Sequence, residues 1–327
     1  MDTKSNKISK IIGRSSAINI HNIGGTEEIA RFLVKKEHAQ IIKEESIGLF
    51  QLTQIIKSDK NKLFILGASK FFIIKLLLIS SMYKKIAHIE YIKTSNKTNS
   101  KDLLIRFLLL NIYKRIYVTD LDGDYFSQFE GFRSSTIDIS NLINTNFNET
   151  AQFKKNKLNF EERNIDIAYI GRVDVDKGFY HALDIFKDKR LSDCLKKMDL
   201  LLWDKDRESL IVSNADEELK ISNIVFEVKE KVSNKPPKYD EVKIVILPYK
   251  NFDSTIRAPL VIFEALKAGC IVLLPSWIKK DGKFISIIDN FLNLNHISNS
   301  LFFFEPSINQ TVDCINKNLE KKEENFE

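Results

Sequence analysis

Short apolar runs of strand length alternate with segments of helical period along almost all of this chain, and that alternation admits few architectures. Strands buried on both faces are near-continuous apolar runs, and they belong to parallel sheets covered by helices. In the first half the runs are Lys62–Leu66, Ile86–Ile92, Ile116–Thr119 and Ser135–Ile139, with helical stretches at Gly25–Lys36, Phe71–Tyr83 and Lys101–Tyr113. In the second half they are Ile165–Ile170, Leu200–Trp203, Asn223–Val228, Val242–Leu247 and Cys270–Leu274, with helices at Phe179–Phe186, Leu191–Lys197, Pro259–Ala268 and Ile308–Lys321. Doubly wound α/β layers are therefore predicted, and 327 residues at roughly 150 per domain predict two of them. The stretch Asn144–Arg163 is polar and poor in apolar periodicity, so a linker is placed at 151–163 between domains at 1–150 and 164–327. Two such units facing across a cleft, with ligands beyond the carboxyl ends of the strands, is the expected arrangement.

Hydrophobic residues at 43% and charged residues at 29% exclude a disordered tail, a collagen-like fibre and a disulfide miniprotein. Three widely spaced cysteines without a CxxC predict reduced thiols and no structural zinc. The polar start MDTKSNKISK carries no apolar signal core. The window Leu63–Ser80 is broken by Lys70 and Lys75, as suits a strand followed by a helix rather than a spanning helix. A cytoplasmic protein is expected.

The net charge of +6 is unevenly placed. Residues 1–150 hold 22 Lys+Arg against 15 Asp+Glu, whereas the rest holds 28 against 29. Within 51–115 the count is 13 basic to 3 acidic. Such a window is either a solvated basic face or the footprint of an anionic partner, such as a membrane surface, a phosphorylated acceptor or nucleic acid. It is read as lacking interleaved exposed aromatics and any recognised nucleic-acid module, so no nucleic-acid partner is expected. The segment KDLLIRFLLLNIYKR, Lys101–Arg115, is an apolar helical pattern bounded by basic residues. At a surface it would suit the edge of an anionic bilayer; in a core it would be an ordinary buried helix.

Two segments carry the chemistry. In IDIAYIGRVDVDKGFYHALDIF, Ile165–Phe186, an apolar strand ends at Gly171, a turn carries Arg172 and Lys177, and Gly178 opens a helix. Two cations and the free N–H groups of a helix start are equipment for holding a diphosphate. In VILPYKNFDSTIRAPLVIFEALKAGCIVLLP, Val245–Pro275, a buried strand leads through a polar loop into a helix. Pro259 stands at its first turn, Gly269 just past its end, and another buried strand follows. Glu264 lies on that largely apolar helix, where a carboxylate needs a partner or a ligand such as a sugar hydroxyl pair.

Together the two segments resemble the retaining glycosyltransferases of family 4, the "group 1" transferases, which have the GT-B fold of two Rossmann-like domains. The match lies in Gly171-Arg172, four residues, Lys177-Gly178, followed some 90 residues later by Pro248, Glu264-Ala265, Gly269 and an apolar strand. The resemblance implies that Arg172 and Lys177 bind a donor diphosphate and stabilise it as it leaves. It implies that backbone N–H groups around Pro259, Leu260 and Val261 approach the phosphates, and that Glu264 binds the ribose hydroxyls. It further implies a hexosyltransferase acting on a nucleotide-sugar donor and a glycan or lipid-linked acceptor at the inner face of a membrane, with neither a metal nor another cofactor. The family's second glutamate, eight positions before Glu264, is here Ile256. That departure makes a catalytically degenerate protein, binding a nucleotide sugar or a partner without turnover, the rival expectation.

The first half resembles the family more weakly. HNIGGTEEIARFLVK is similar to its Gly-Gly-x-Glu loop, which implies that Gly24 and Gly25 let backbone approach the donor or acceptor. His88 falls on a strand where the family often carries a His facing the transferred sugar. No clean apolar first strand is visible before the glycines, because IIGRSSAINI is short and polar. The tempting Asp120-Leu-Asp122-Gly-Asp124 fails as a calcium loop, since its sixth and twelfth positions are Tyr125 and Gly131, and is taken as a solvated acidic turn.

Overall fold

The computed structural model describes residues 8–20, 25–83, 86–93, 116–120, 134–136, 142, 158–202, 208, 211–213, 224–230, 238–252, 259–297 and 300–323. The chain divides into two compact units, the first formed by Met1–Asn146 with Thr255–Arg257 and the second by Phe147–Ser254 and Ala258–Glu327.

The first unit is a six-stranded sheet of β1 (Ile8–Gly13), β2 (Gln40–Lys43), β3 (Asn61–Leu66), β4 (His88–Lys93), β5 (Ile116–Asp120) and β6 (Ser134–Thr136), in the order β2-β1-β3-β4-β5-β6. Every pairing is parallel. Helices α1 (Gly25–Glu37), α2 (Leu49–Lys57) and α3 (Lys70–Ser81) connect its leading strands. The apolar faces of α2 and α3 meet the sheet in a core of Leu52, Ile56, Leu63, Ile65, Phe72, Ile73, Leu76 and Leu77. Ser69 caps α3 by accepting the Phe72 N–H, which fixes where the chain leaves β3 and turns helical. Among the described residues, no helix is long and apolar enough to cross a membrane.

The second unit is a parallel sheet of β7 (Ile165–Arg172), β8 (Lys196–Leu202), β9 (Ile224–Glu230), β10 (Val242–Ile246), β11 (Ile271–Pro275) and β12 (Leu301–Phe304), in the order β12-β11-β10-β7-β8-β9. Its helices are α4 (Phe179–Phe186), α5 (Leu260–Lys267), α6 (Gly282–Leu294) and α7 (Ile308–Glu323). This is the doubly wound order with a single reversal, between β7 and β10. The segment predicted as a linker ends on Arg163, which is buried and donates to the carbonyls of Val242 (2.7 Å) and Ala268 (2.8 Å). It thus clamps the amino end of β10 to the end of α5.

Among the described residues, five elements lie outside the sequence expectation: β1, β2, α2, α6 and β12. One expectation is overturned. Leu191–Lys197 is not a helix, because β8 already begins at Lys196. Lys196, Lys197 and Asp199 are all buried in that strand, and such charges mask its apolar pattern. The Lys196 amine reaches the Phe186 carbonyl, and Lys197 pairs with Glu227 on β9. The helix expected at Lys101–Tyr113 lies outside the described residues.

Candidate functional site

The site is built where β7 and β10 pair in register, Ile246 beside Tyr169, and then send their chains to opposite sides. Divergence of the two connections leaves a crevice beyond the strand ends, which is where doubly wound sheets hold ligands. After β7 the turn Arg172–Gly178 folds back on the end of β10. Gly178 adopts φ +76° and packs so tightly that a Cβ would stand 1.8 Å from the Pro248 carbonyl oxygen. Two bonds stitch the loops together. Lys250 N donates to the Asp176 carbonyl (3.0 Å), and the Asn251 amide donates to the Asp176 carboxylate (3.1 Å).

Arg172 ends β7 with its side chain 22% exposed and 3.5 Å from the Asp174 carboxylate. The Tyr169 hydroxyl donates to its carbonyl at 2.8 Å, holding the strand end in place. Lys177 is buried, and its amine lies 4.9 Å from the centre of the Tyr249 ring. Tyr249 is itself held by Trp277, whose indole N–H donates to its carbonyl (2.9 Å), and by edge contact with Phe252. Burial, with Arg172 as a second cause, pulls the Lys177 pKa down to about 7, while Asp174 and Asp176 pull the other way.

Across the crevice α5 starts at Leu260. Its N-cap Pro259 supplies no side-chain acceptor, so the Leu260 and Val261 amides head the helix without a capping side chain. One turn on, the half-buried Glu264 accepts a hydrogen bond from the Tyr239 hydroxyl at 2.7 Å. Burial pushes the Tyr239 hydroxyl pKa well up, with Glu264 adding to it. Tyr249 lies within the field of both Arg172 and Glu264, and burial raises its pKa too. Arg172, Lys177, Pro259, Leu260, Val261 and Glu264 therefore converge around one carboxyl edge. Sequence reasoning missed Tyr249, Tyr239, Asp174 and Asp176; the two aspartates sit inside the motif but carry no signal until the turn closes.

In the first unit, Gly25 opens α1, whereas Gly24 lies outside the described residues. His88, the candidate for facing a transferred sugar, is the first residue of β4, at the amino end of the sheet, 3.8 Å from Glu90, so it stands at the opposite edge from the strand ends that hold ligands. At the carboxyl edge the residues gathered are others. Gly13 would place a Cβ 1.9 Å from the Leu66 carbonyl, Arg14 Nε donates to the Gly67 carbonyl (2.9 Å), and Ser69 N donates to Glu44 (2.9 Å).

The electrostatics of Lys177 predict a pH dependence for anion binding. A bound diphosphate favours the charged amine and raises its pKa, so binding above pH 7 draws a proton from solvent. Affinity should be greatest at and below pH 7 and fall as pH rises, by up to about tenfold per unit. Calorimetry with a nucleoside diphosphate at pH 8, in buffers of different ionisation enthalpy, should register close to one proton taken up. No uptake, or the same uptake by Lys177→Met, would refute the arrangement.

No family model matches the sequence, and no curated protein does. Solved structures do. The HepE protein Alr3699 of Anabaena, solved with UDP, is 13% identical, with 97% of this chain and 90% of that one covered at a TM-score of 0.56. Sucrose-phosphate synthase from Thermosynechococcus elongatus is 11% identical over 96% of this chain and 90% of the other, at 0.56. A glycosyltransferase from Rickettsia africae is 14% identical over 96% and 89%, at 0.52. At these identities the likeness is one of fold, and the chain has the GT-B fold of two parallel, Rossmann-like units.

Proposed function

We propose that this chain is a glycosyltransferase of the family 4 kind, moving a hexose with retention from a nucleotide-diphosphate sugar to a hydroxyl of a glycan or lipid-linked acceptor in surface polysaccharide or glycolipid synthesis. The observation that carries the reading is a buried lysine beside a largely buried arginine at the β7–β10 reversal, opposite a helix start without a capping side chain. Breaking the bond from the sugar to the diphosphate leaves negative charge on the leaving group. Arg172, Lys177 and the amides heading α5 are preorganised to neutralise it, which lowers the barrier without a protein nucleophile. No metal or other cofactor enters this reading. Structures of the Anabaena HepE protein hold UDP, UDP with glucose, or UDP-glucose, which supports a donor of that class.

Titrating the purified protein with UDP and other nucleoside diphosphates tests the donor site, and donor hydrolysis tests turnover. Absence of binding to every nucleoside diphosphate would overturn the proposal. Binding without hydrolysis or transfer would favour the rival reading of a degenerate binder, which rests on Ile256 in place of the family's second glutamate.

Glu264→Gln is expected to weaken nucleoside diphosphate binding by roughly 1–3 kcal/mol, because the amide keeps the shape but not the charged acceptor. The Tyr239 hydroxyl can still donate to the amide oxygen, so folding should be preserved. An unchanged dissociation constant would remove Glu264 from the site.

A further inference from the structure

Helix α3 is apolar on both of its faces. Phe72, Ile73, Leu76 and Leu77 point into the core of the first unit. The opposite stripe, at spacings of three and four, carries Phe71, Ile74, Lys75, Leu78 and Met82. Of these Phe71 is 66% exposed, Leu78 64% and Met82, just past the helix end, 75%. A helix packed on only one side has a charged outer face by default, so an apolar outer stripe calls for a partner. Helix α2 lies beside α3. Both helices leave the carboxyl edge of the same parallel sheet and pack side by side, with Lys57 at the end of α2 placed 5.6 Å from the Tyr83 ring beyond α3. At the start of α2, Leu49 is 60% and Phe50 74% exposed.

Charge selects the partner. From 49 to 85 the chain holds seven lysines (57, 60, 62, 70, 75, 84 and 85) and one acid, Asp59. Lys70 opens α3, and the Lys75 amine lies 4.5 Å from the Phe71 ring, so cations frame the apolar residues directly. A second copy docked face to face would oppose like charges. A bilayer interface with anionic headgroups meets both features, taking the apolar side chains into the acyl boundary while headgroups meet the amines.

We propose that the outer stripe of α3, with the start of α2, is the surface by which this chain docks reversibly on an anionic membrane. Lys70 and Lys75 belong to the basic window of the first half, and docking through them does not depend on the transfer chemistry. Sugar transfer to a soluble acceptor, or nucleoside diphosphate binding, fails or survives separately.

The test is co-sedimentation of the full chain with vesicles of phosphatidylglycerol and phosphatidylcholine, against phosphatidylcholine alone, at low and high salt. Binding is expected on the anionic vesicles only and should fade as salt rises. Replacing Lys70 and Lys75 together by Gln should cost about 25-fold in partitioning at low salt, near fivefold for each cation. The triple variant Phe71→Ser, Leu78→Ser, Met82→Ser should lose at least about tenfold while keeping its charge. Should that variant unfold, Leu78→Gln alone gives the same reading with a smaller loss. Equal binding to neutral and anionic vesicles, binding indifferent to these substitutions, or no binding at low salt would overturn the proposal. So would a wild-type dimer that the triple variant converts to monomer, or retention on short duplex DNA in place of vesicles.

Discussion

Replacing Arg172 or Lys177 by Ala is expected to lower sugar transfer by about 10²-fold or more, the scale on which removing one preorganised charge stabiliser acts. The two groups serve one leaving group, so the double variant should lose less than the product of the singles. Stability should move differently. Lys177 is held in the folded protein with a pKa near 7, against an ordinary value of 10.5, so its charged form opposes folding. The sign follows from linkage. The unfolded chain binds the extra proton between pH 7 and 10.5, and stability contributed by this group rises across that window and is lowest below it. Lys177→Ala therefore removes an electrostatic penalty at neutral pH while leaving a small void beside Tyr249. Its melting temperature at pH 6.5 should lie near or above that of the wild type while turnover collapses. A variant that melts early and is inactive only for that reason would make Lys177 a structural residue, and full transfer by the double variant would remove the proposed diphosphate site.

Gly178→Ala should be a strongly damaging single-methyl change in the second unit. The residue sits at φ +76°, where a side chain costs about 1–3 kcal/mol. The added carbon would also lie 1.8 Å from the Pro248 oxygen and 2.6 Å from its carbonyl carbon, both backbone atoms at the end of β10. Relief requires pushing the Arg172–Gly178 turn away from β10, which adds overpacking strain of about 1–3 kcal/mol. That movement breaks the Asp176 bonds to Lys250 and Asn251 and displaces Lys177 from Tyr249. Loss of both stability and nucleoside diphosphate binding is expected, read by urea unfolding and calorimetry on the same sample. Gly282→Ala at the start of α6 is the control, because nothing lies within 4 Å of its added carbon. Equal stability of the two variants would contradict the close approach.

What was legible in the sequence was strongest where one segment carries its whole signal. Gly171-Arg172 and Lys177-Gly178 announce a strand end and a helix start within eight residues, and both are found there. Pro259 and Gly269 bracket α5 as cap chemistry requires. β1 was missed because six residues with Ser9 and Lys10 among them show no clean apolar run. Yet Ile11 and Ile12 are fully buried, between β2 and β3. β8 was misjudged because the buried charges Lys196, Lys197 and Asp199 interrupt its apolar pattern, although Met198 and Leu200 between and beside them lie in the core. The strand pattern located His88 on β4 but not the edge it occupies, which only register reveals.

Taken by itself, the sequence determined the class of the fold, two parallel α/β units, because alternating buried strands and amphipathic helices have few other ways to pack. It also marked the cations and the helix start that are proposed to hold an anion. The tertiary structure decided the rest. Strand order placed the single reversal of the second sheet between β7 and β10, and only there do Arg172, Lys177 and α5 share an edge. Closure of the turn on Pro248 put Lys177 out of water beside Tyr249 and so pulled its pKa down toward neutrality. Packing of α3 on one side alone left Phe71, Leu78 and Met82 in the open, since a sequence apolar on every face is silent about which face the core will take.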